Sequence, residues 1–173
     1  MKKLIFIFSV LIMFGLGCSF QIAVYIPAQP GAPIIDKKAF VDRHNYYRKK
    51  VGVPPVVWDD DLAAYADKWA QRLALKCEMK HRSKDNYGEN IYWHSGESNE
   101  VKVVDKWAAE EKYFNHNDLF YRKGKSSKYG HYSQIIWRKT KRIGAAVRTC
   151  KNGGQIWVCN YDPPGNYVNQ KIY

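Results

Sequence analysis

The chain has 173 residues and a mass of 20.2 kDa, enough for one domain and not for two of ordinary size. Hydrophobic residues make up 46% and mean hydropathy is −0.52, which excludes both a disordered chain and a polytopic membrane protein. Net charge is +12, and no fixed period of about 20–50 residues recurs, so a solenoid is excluded as well.

The first residues read as a targeting segment. Lys2 and Lys3 precede a nearly unbroken apolar run from Leu4 to Met13, followed by the small residues Gly15 and Gly17. Residues 1–18 are therefore expected to be a secretory signal peptide, cleaved near Gly17–Phe20, with a single-pass anchor as the competing reading. Gly15-Leu16-Gly17-Cys18 is similar to a bacterial lipoprotein cleavage box, which makes anchoring through a lipid on Cys18 the alternative to free secretion. Loss of Lys2 and Lys3 leaves 26 basic against 16 acidic residues, a charge of +10 that favours anionic surfaces such as a phospholipid membrane. Basic residues cluster at Arg122, Lys123, Lys125 and Lys128, and again at Arg138, Lys139, Lys141 and Arg142; a solvated surface is the bland reading of both. No nucleic-acid-binding module is present, so nucleic acid is not expected as a partner.

Residues 19–35, rich in proline, are expected to form an extended arm, and 36–173 a single domain. Asp36 can cap a first helix that carries Phe40, His44, Tyr47 and Arg48 near one face and stops before Pro54-Pro55. Asp59-Asp60-Asp61 starts a second, in which Leu62, Tyr65, Ala66, Trp69, Leu73 and Cys77 recur at spacings of three and four. Gly88–Trp93 reads as a short strand or extended turn, Val101–Phe114 as a third helix, and 115–128 as a polar loop. Strand-like runs follow at Tyr132–Trp137, Ile143–Thr149 and Gln155–Tyr161. Helices first and an antiparallel meander afterwards make the class α+β.

The cysteines stand at 18, 77, 150 and 159. Cys150 and Cys159 flank the turn Lys151-Asn152-Gly153-Gly154, so a bridge across this hairpin is expected, leaving Cys77 a buried free thiol unless Cys18 survives to meet it. Among polar residues, His81 follows the second helix, Glu89 sits in Gly88-Glu89-Asn90, Glu110 lies on the third helix and His131 follows Gly130. Two imidazoles and two carboxylates from separate elements suit a divalent-metal site or an acid–base pair, against the competing reading of satisfied structural polar residues. They form no short metal motif.

Two long segments carry a resemblance. Gly130-His131-Tyr132-Ser133-Gln134-Ile135-Ile136-Trp137-Arg138-Lys139-Thr140 resembles the first signature of the CAP superfamily (cysteine-rich secretory, antigen 5 and pathogenesis-related type-one proteins), and Ile156-Trp157-Val158-Cys159-Asn160-Tyr161-Asp162-Pro163-Pro164-Gly165-Asn166-Tyr167 resembles the second. His44-Asn45 with Arg48, Val53-Pro54-Pro55 with Trp58, and Gly88-Glu89-Asn90 add to it, over a similarity from about Phe40 to Tyr173. The resemblance implies an α-β-α sandwich, with helices on both faces of a mainly antiparallel sheet.

It implies, residue by residue, a cleft lined by His81, His131, Glu89 and Glu110, with Glu111 as the adjacent alternative. In relatives the two histidines can hold zinc or another divalent ion, so an open, exchangeable metal site is expected, not needed for folding. Plant-type relatives carry six cysteines; against that pattern Ala145 stands where the partner of Cys77 is expected, and two cysteines are missing from 124–129. That loop borders the region relatives use for sterols, which makes Tyr113, Phe114, Phe120 and Tyr121 the expected lipid-binding residues, with core packing as the alternative. The C-terminal run resembles a segment from which plant relatives release a peptide, here by cleavage after Asp162, with a plain turn at Pro163-Pro164-Gly165-Asn166 as the competing reading. The expected function is a secreted, monomeric, non-enzymatic module that binds a sterol or other lipid. The alternative is a metal-dependent hydrolase or protease in which Glu89 or Glu110 acts as the base.

Overall fold

The computed structural model describes residues 33–83, 86–115, 120 and 128–173. The expected signal peptide, Cys18, most of the arm, Tyr121 and the basic residues Arg122, Lys123 and Lys125 lie outside the described residues. The elements are α1 (Lys37–Lys50), β1 (Val57–Trp58), α2 (Asp60–Lys76), β2 (Gly88–His94), α3 (Glu100–Ala108), a 3₁₀ turn (Ala109–Tyr113), α4 (Gly130–Ile135), β3 (Arg142–Thr149) and β4 (Gln155–Asp162). The sheet runs β1-β3-β4-β2, parallel between β1 and β3 and antiparallel elsewhere.

Local chemistry starts α1 and α2 where the sequence placed them, and starts α3 one residue earlier than expected. Asp36 accepts the amide of Ala39, Asp59 that of Leu62 and Asn99 that of Lys102, each satisfying an orphan donor of the first turn. α2 lays Ala66, Ala70 and Leu73 on one face of the sheet, against Ile91, Ala146, Ile156 and Val158. The opposite face takes α1, α3 and α4, where Phe40, Trp107, Tyr132 and Ile135 meet Val147, Trp157 and Tyr161. The architecture is thus the expected α-β-α sandwich. Close approach on the α2 face depends on Gly144, where a Cβ would lie 2.2 Å from the amide nitrogen of Ala63.

Three expectations are corrected. Tyr132–Trp137 is not a strand but the body and end of α4, buried throughout, so it shows neither the alternation of a strand nor the stripe of a surface helix. The third helix ends at Ala108 and tightens into the 3₁₀ turn. The hairpin bridge is replaced by a disulfide between Cys77 and Cys150, with Cα atoms 5.5 Å apart. The strand register explains why: Cys159 lies opposite Ala145, while Thr149, next to Cys150, lies opposite Gln155. Cys150 is five residues along from Ala145, roughly 17 Å at strand rise, far outside disulfide reach. Cys77 ends α2 in the left-handed conformation that turns it toward Cys150, and Cys159 is the buried free thiol. Ala145 is therefore the counterpart of Cys159, not of Cys77.

His44 is fully buried between α1 and the sheet. Burial holds its pKa down at about 4, against an ordinary 6.5, with the Arg48 charge acting in the same direction.

Because Ala145 and Cys159 are cross-strand partners, Ala145→Cys should close a bridge to Cys159. A thiol titration of the unfolded variant is expected to find one free thiol fewer than in the parent, with stability raised by about 3 kcal/mol for a 15-residue loop; one thiol more would mean that the two do not meet. His44 yields a pH dependence. A group held neutral in the fold protonates more readily when unfolded, so its contribution is complete above pH 6.5 and is lost as pH falls toward 4. Urea unfolding should show a loss of about 3 kcal/mol from this group across that window, a slope that flattens in His44→Gln.

Candidate functional site

The four expected site residues come from four elements and form two pairs. His81 lies in the segment after α2, Glu89 in β2, Glu110 in the 3₁₀ turn and His131 at the start of α4. His81 Nδ1 is 2.7 Å from Glu89 Oε1, and His131 Nδ1 is 2.6 Å from Glu110 Oε1. Glu110 also receives on Oε2 the backbone N–H groups of His131 at 2.9 Å and of Tyr132 at 3.4 Å, so both its oxygens are occupied at the start of α4. The neighbouring Glu111 turns the other way, onto the Tyr132 hydroxyl.

The segment that presents His81 is strapped to α2. Trp69 Nε1 donates to the Lys80 carbonyl at 2.9 Å, and the Arg82 guanidinium lies 3.9 Å from the Tyr65 ring while donating to the Tyr65 carbonyl. Arg82 also gives its backbone N–H to Glu89 Oε1. The Glu89 side chain is only 6% exposed, His81 64%. Glu89 Oε2 is buried and has no hydrogen-bond partner among the described residues. The carboxylate bond raises the His81 pKa, since it stabilises the imidazolium. Across the cleft, the Trp107 ring stacks on His131 with centroids 6.3 Å apart.

Asn90 ties β2, which carries Glu89, to the start of α4, which carries His131. It follows Glu89 in β2, and its Nδ2 donates to the His131 carbonyl at 3.1 Å. Gly88 allows this approach: a Cβ there would fall 2.2 Å from Gln134 Oε1 of α4.

A carboxylate on Nδ1 fixes the neutral ring as the Nδ1–H tautomer and leaves Nε2 as a lone pair, the arrangement of a metal-binding or proton-accepting histidine. Among the described residues no group of three or more His, Cys, Asp or Glu side chains is placed to hold a metal. The described hydroxyl and thiol nearest in sequence to the signatures are interior: Ser133 and Cys159 are fully buried. Ser133 bonds Asn166 and Gly130, and burial pushes the Cys159 thiol up.

The expected lipid residues divide. Phe114 and Phe120 belong to the core, packed on Tyr129, and Phe114 also meets Tyr132 and Tyr173. Tyr113 is half exposed, with the Lys112 and Lys128 ammonium groups near its ring, and Tyr121 lies outside the described residues. An open groove of about 470 Å³ lies elsewhere, between the turn after α4 and the C-terminal segment, with Trp137, Ile172 and Tyr173 among its walls and Arg138, Lys139 and Lys171 around it. The Arg138–Lys139 cluster was its only trace in the sequence; that residues 170–173 return to it follows from hydrogen bonds no local pattern announces, Arg138 N–H to the Ile172 carbonyl and Phe120 N–H to the Gln170 carbonyl.

Comparison with known proteins places the family and the fold. Residues 41–161 match the model of the cysteine-rich secretory protein family. Pathogenesis-related protein 1C of Nicotiana tabacum is 43% identical over 135 residues, 78% of this chain and 79% of that protein. A pathogenesis-related protein 1 of Arabidopsis thaliana is 40% identical over 165 residues, covering 91% and 98%. Among solved structures, NaASP2 with Zn2+ superposes with a TM-score of 0.70 at 24% identity, covering 84% of this chain and 88% of that one. BmVAL-1 does so at 0.69 and 22%, covering 83% and 85%. At these identities the structural likeness bears on the fold alone.

The His81–Glu89 bond gives a direct test. In Glu89→Gln the imidazolium loses its carboxylate, and the His81 midpoint followed by NMR is expected to fall. An unmoved His81 midpoint would mean that the pair does not form.

Proposed function

This chain belongs to the cysteine-rich secretory protein family, and from that premise we propose that it works outside the cell as a pathogenesis-related, non-enzymatic module that binds a lipid. Support for export is the charged and apolar N-terminal run of residues 2–13. The observation that carries the lipid reading is the groove of about 470 Å³ against Trp137, Ile172 and Tyr173. Its size lies within the range of small-molecule sites, and its apolar walls suit a hydrocarbon body. The exposed Arg138, Lys139 and Lys171 suit an anionic headgroup, which favours a fatty acid or an acidic lipid surface over a neutral sterol. In this reading Phe114 and Phe120 support the groove from the core instead of touching the ligand.

The second reading, a metal-dependent hydrolase, is favoured by one atom, Glu89 Oε2, buried beside His81 and unpartnered among the described residues. Among the described residues the donor set offers a divalent ion two imidazoles and no group of three ligands. His81 and His131 Nε2 are the atoms left to hold it, and water must complete the shell. Such an ion would supply Lewis-acid polarisation of a carbonyl. Glu110 spends both oxygens at the start of α4, so Glu89 is the carboxylate with an oxygen free to take a proton.

The test is a titration of the protein with a fluorescent sterol and a fluorescent fatty acid, with and without zinc. Saturable fatty-acid binding is expected, weakened by about tenfold or more when Arg138, Lys139 and Lys171 are changed together to Glu, and indifferent to Tyr113→Ala. Binding of neither lipid overturns the reading. Peptide hydrolysis that stops in chelator and in Glu89→Gln would put the hydrolase in its place.

A further inference from the structure

A line of buried hydrogen bonds runs from α1 to the cleft. His44 Nδ1 lies 2.9 Å from the Phe40 carbonyl, and its Nε2 lies 3.0 Å from the Tyr161 hydroxyl. Asn90 Nδ2 is 3.0 Å from the same hydroxyl and 3.1 Å from the His131 carbonyl. His44 and Tyr161 are fully buried and Asn90 is 1% exposed, so water does not compete for these groups.

The donors and acceptors allow one direction only. A carbonyl can only accept, so His44 carries its proton on Nδ1 and presents a lone pair at Nε2. The Tyr161 hydroxyl must therefore donate to His44, which leaves its own lone pair for an Asn90 N–H. The second Asn90 N–H goes to His131. Removal of the Tyr161 hydroxyl thus costs Asn90 the acceptor that orients its amide, at the far end of which the His131 peptide is held. A second route ends on the same residue: the Trp107 ring touches His44 on one side, centroids 6.4 Å apart, and stacks on His131 on the other.

We propose that His44, Tyr161 and Asn90 are positioning residues for His131, a directional relay that fixes the carbonyl of that residue while Glu110 fixes its ring and its amide. The proposal rests on the reading of His81 and His131 as the imidazoles of the cleft. It assigns a role in the site to a buried histidine of α1 and a tyrosine of β4 that touch neither carboxylate of the two pairs.

Tyr161→Phe deletes one hydroxyl and keeps the ring in the core. In imidazole-detected NMR of the full protein it is expected to move the His131 signals and leave those of His81 in place. Zinc affinity, measured by calorimetry with the metal alone, is expected to fall about tenfold, the lower end for loss of an outer partner. Because the residues act in series, Tyr161→Phe combined with Asn90→Ala should be no weaker than Asn90→Ala alone. Leu73→Ala, on the far side of the sheet, is the control for general loosening: it should lower the melting temperature and leave the His131 signals alone. Unmoved His131 signals in Tyr161→Phe, or an equal movement in Leu73→Ala, overturns the relay. If Tyr161→Phe does not fold, Asn90→Ala carries the same readings. Should the parent protein bind no zinc, the metal reading of the cleft fails, and the NMR comparison still decides the relay.

Discussion

A single buried cation ties this molecule together. Arg48 is fully buried at the end of α1, and among the described residues no carboxylate answers it. Its guanidinium donates instead to four carbonyls, those of Pro54, Ile135, Trp137 and Thr140, at 2.7 to 3.0 Å. Burial lowers its pKa to about 10, which still leaves it charged under any physiological condition. An ion taken out of water costs several kcal/mol unless its environment replaces the lost solvation. The turn after α1, the end of α4 and the approach to β3 are therefore bound to present their oxygens to one point. That demand fixes where α4 stops and which way the chain leaves it, and with them the position of His131 at its other end.

The cleft repeats the theme on a smaller scale. Glu110 holds the ring and the amide of His131, and Glu89 holds the ring of His81 and the amide of Arg82. In both pairs one carboxylate joins a side chain to the backbone of the segment that carries it, so the imidazole is oriented together with its loop. The two differ in what remains. Among the described residues one oxygen of Glu89 is unspent, while Glu110 has none to spare, and the two pairs are therefore chemically unequal although their composition is the same.

What was legible in the sequence follows the range of the forces involved. The first two long helices could be read because their caps and apolar spacing are local, and β3 and β4 because Asn152-Gly153-Gly154 announces the turn between them. α4 could not be read, since Arg48 and the core enclose it and erase any period. The disulfide was misassigned for a related reason: proximity to a turn suggested Cys150 and Cys159, but the strand register, a non-local property, sets Cys159 against Ala145 and sends Cys150 to α2. The four cleft residues were reached through resemblance, spacing alone being silent on convergence. Asn90, Tyr161 and His44, which connect the cleft to the core, carried no signal beyond their place in the matching motifs.

The return of the C-terminal segment has a consequence for how this chain can be cut. Ile172 is 2% exposed in the main core, and Asn169, Gln170 and Ile172 are each held by a backbone bond to Phe120 or Arg138. A fragment starting at Pro163 would leave with that isoleucine and with the strand-like partner of Phe120. What stays behind would have a hole beside Trp137 and two amides open to water. Scission after Asp162 and departure of the fragment would thus be separate events with separate energies, because Ile172 in the core and the backbone bonds to Phe120 and Arg138 would still hold the tail of a nicked chain.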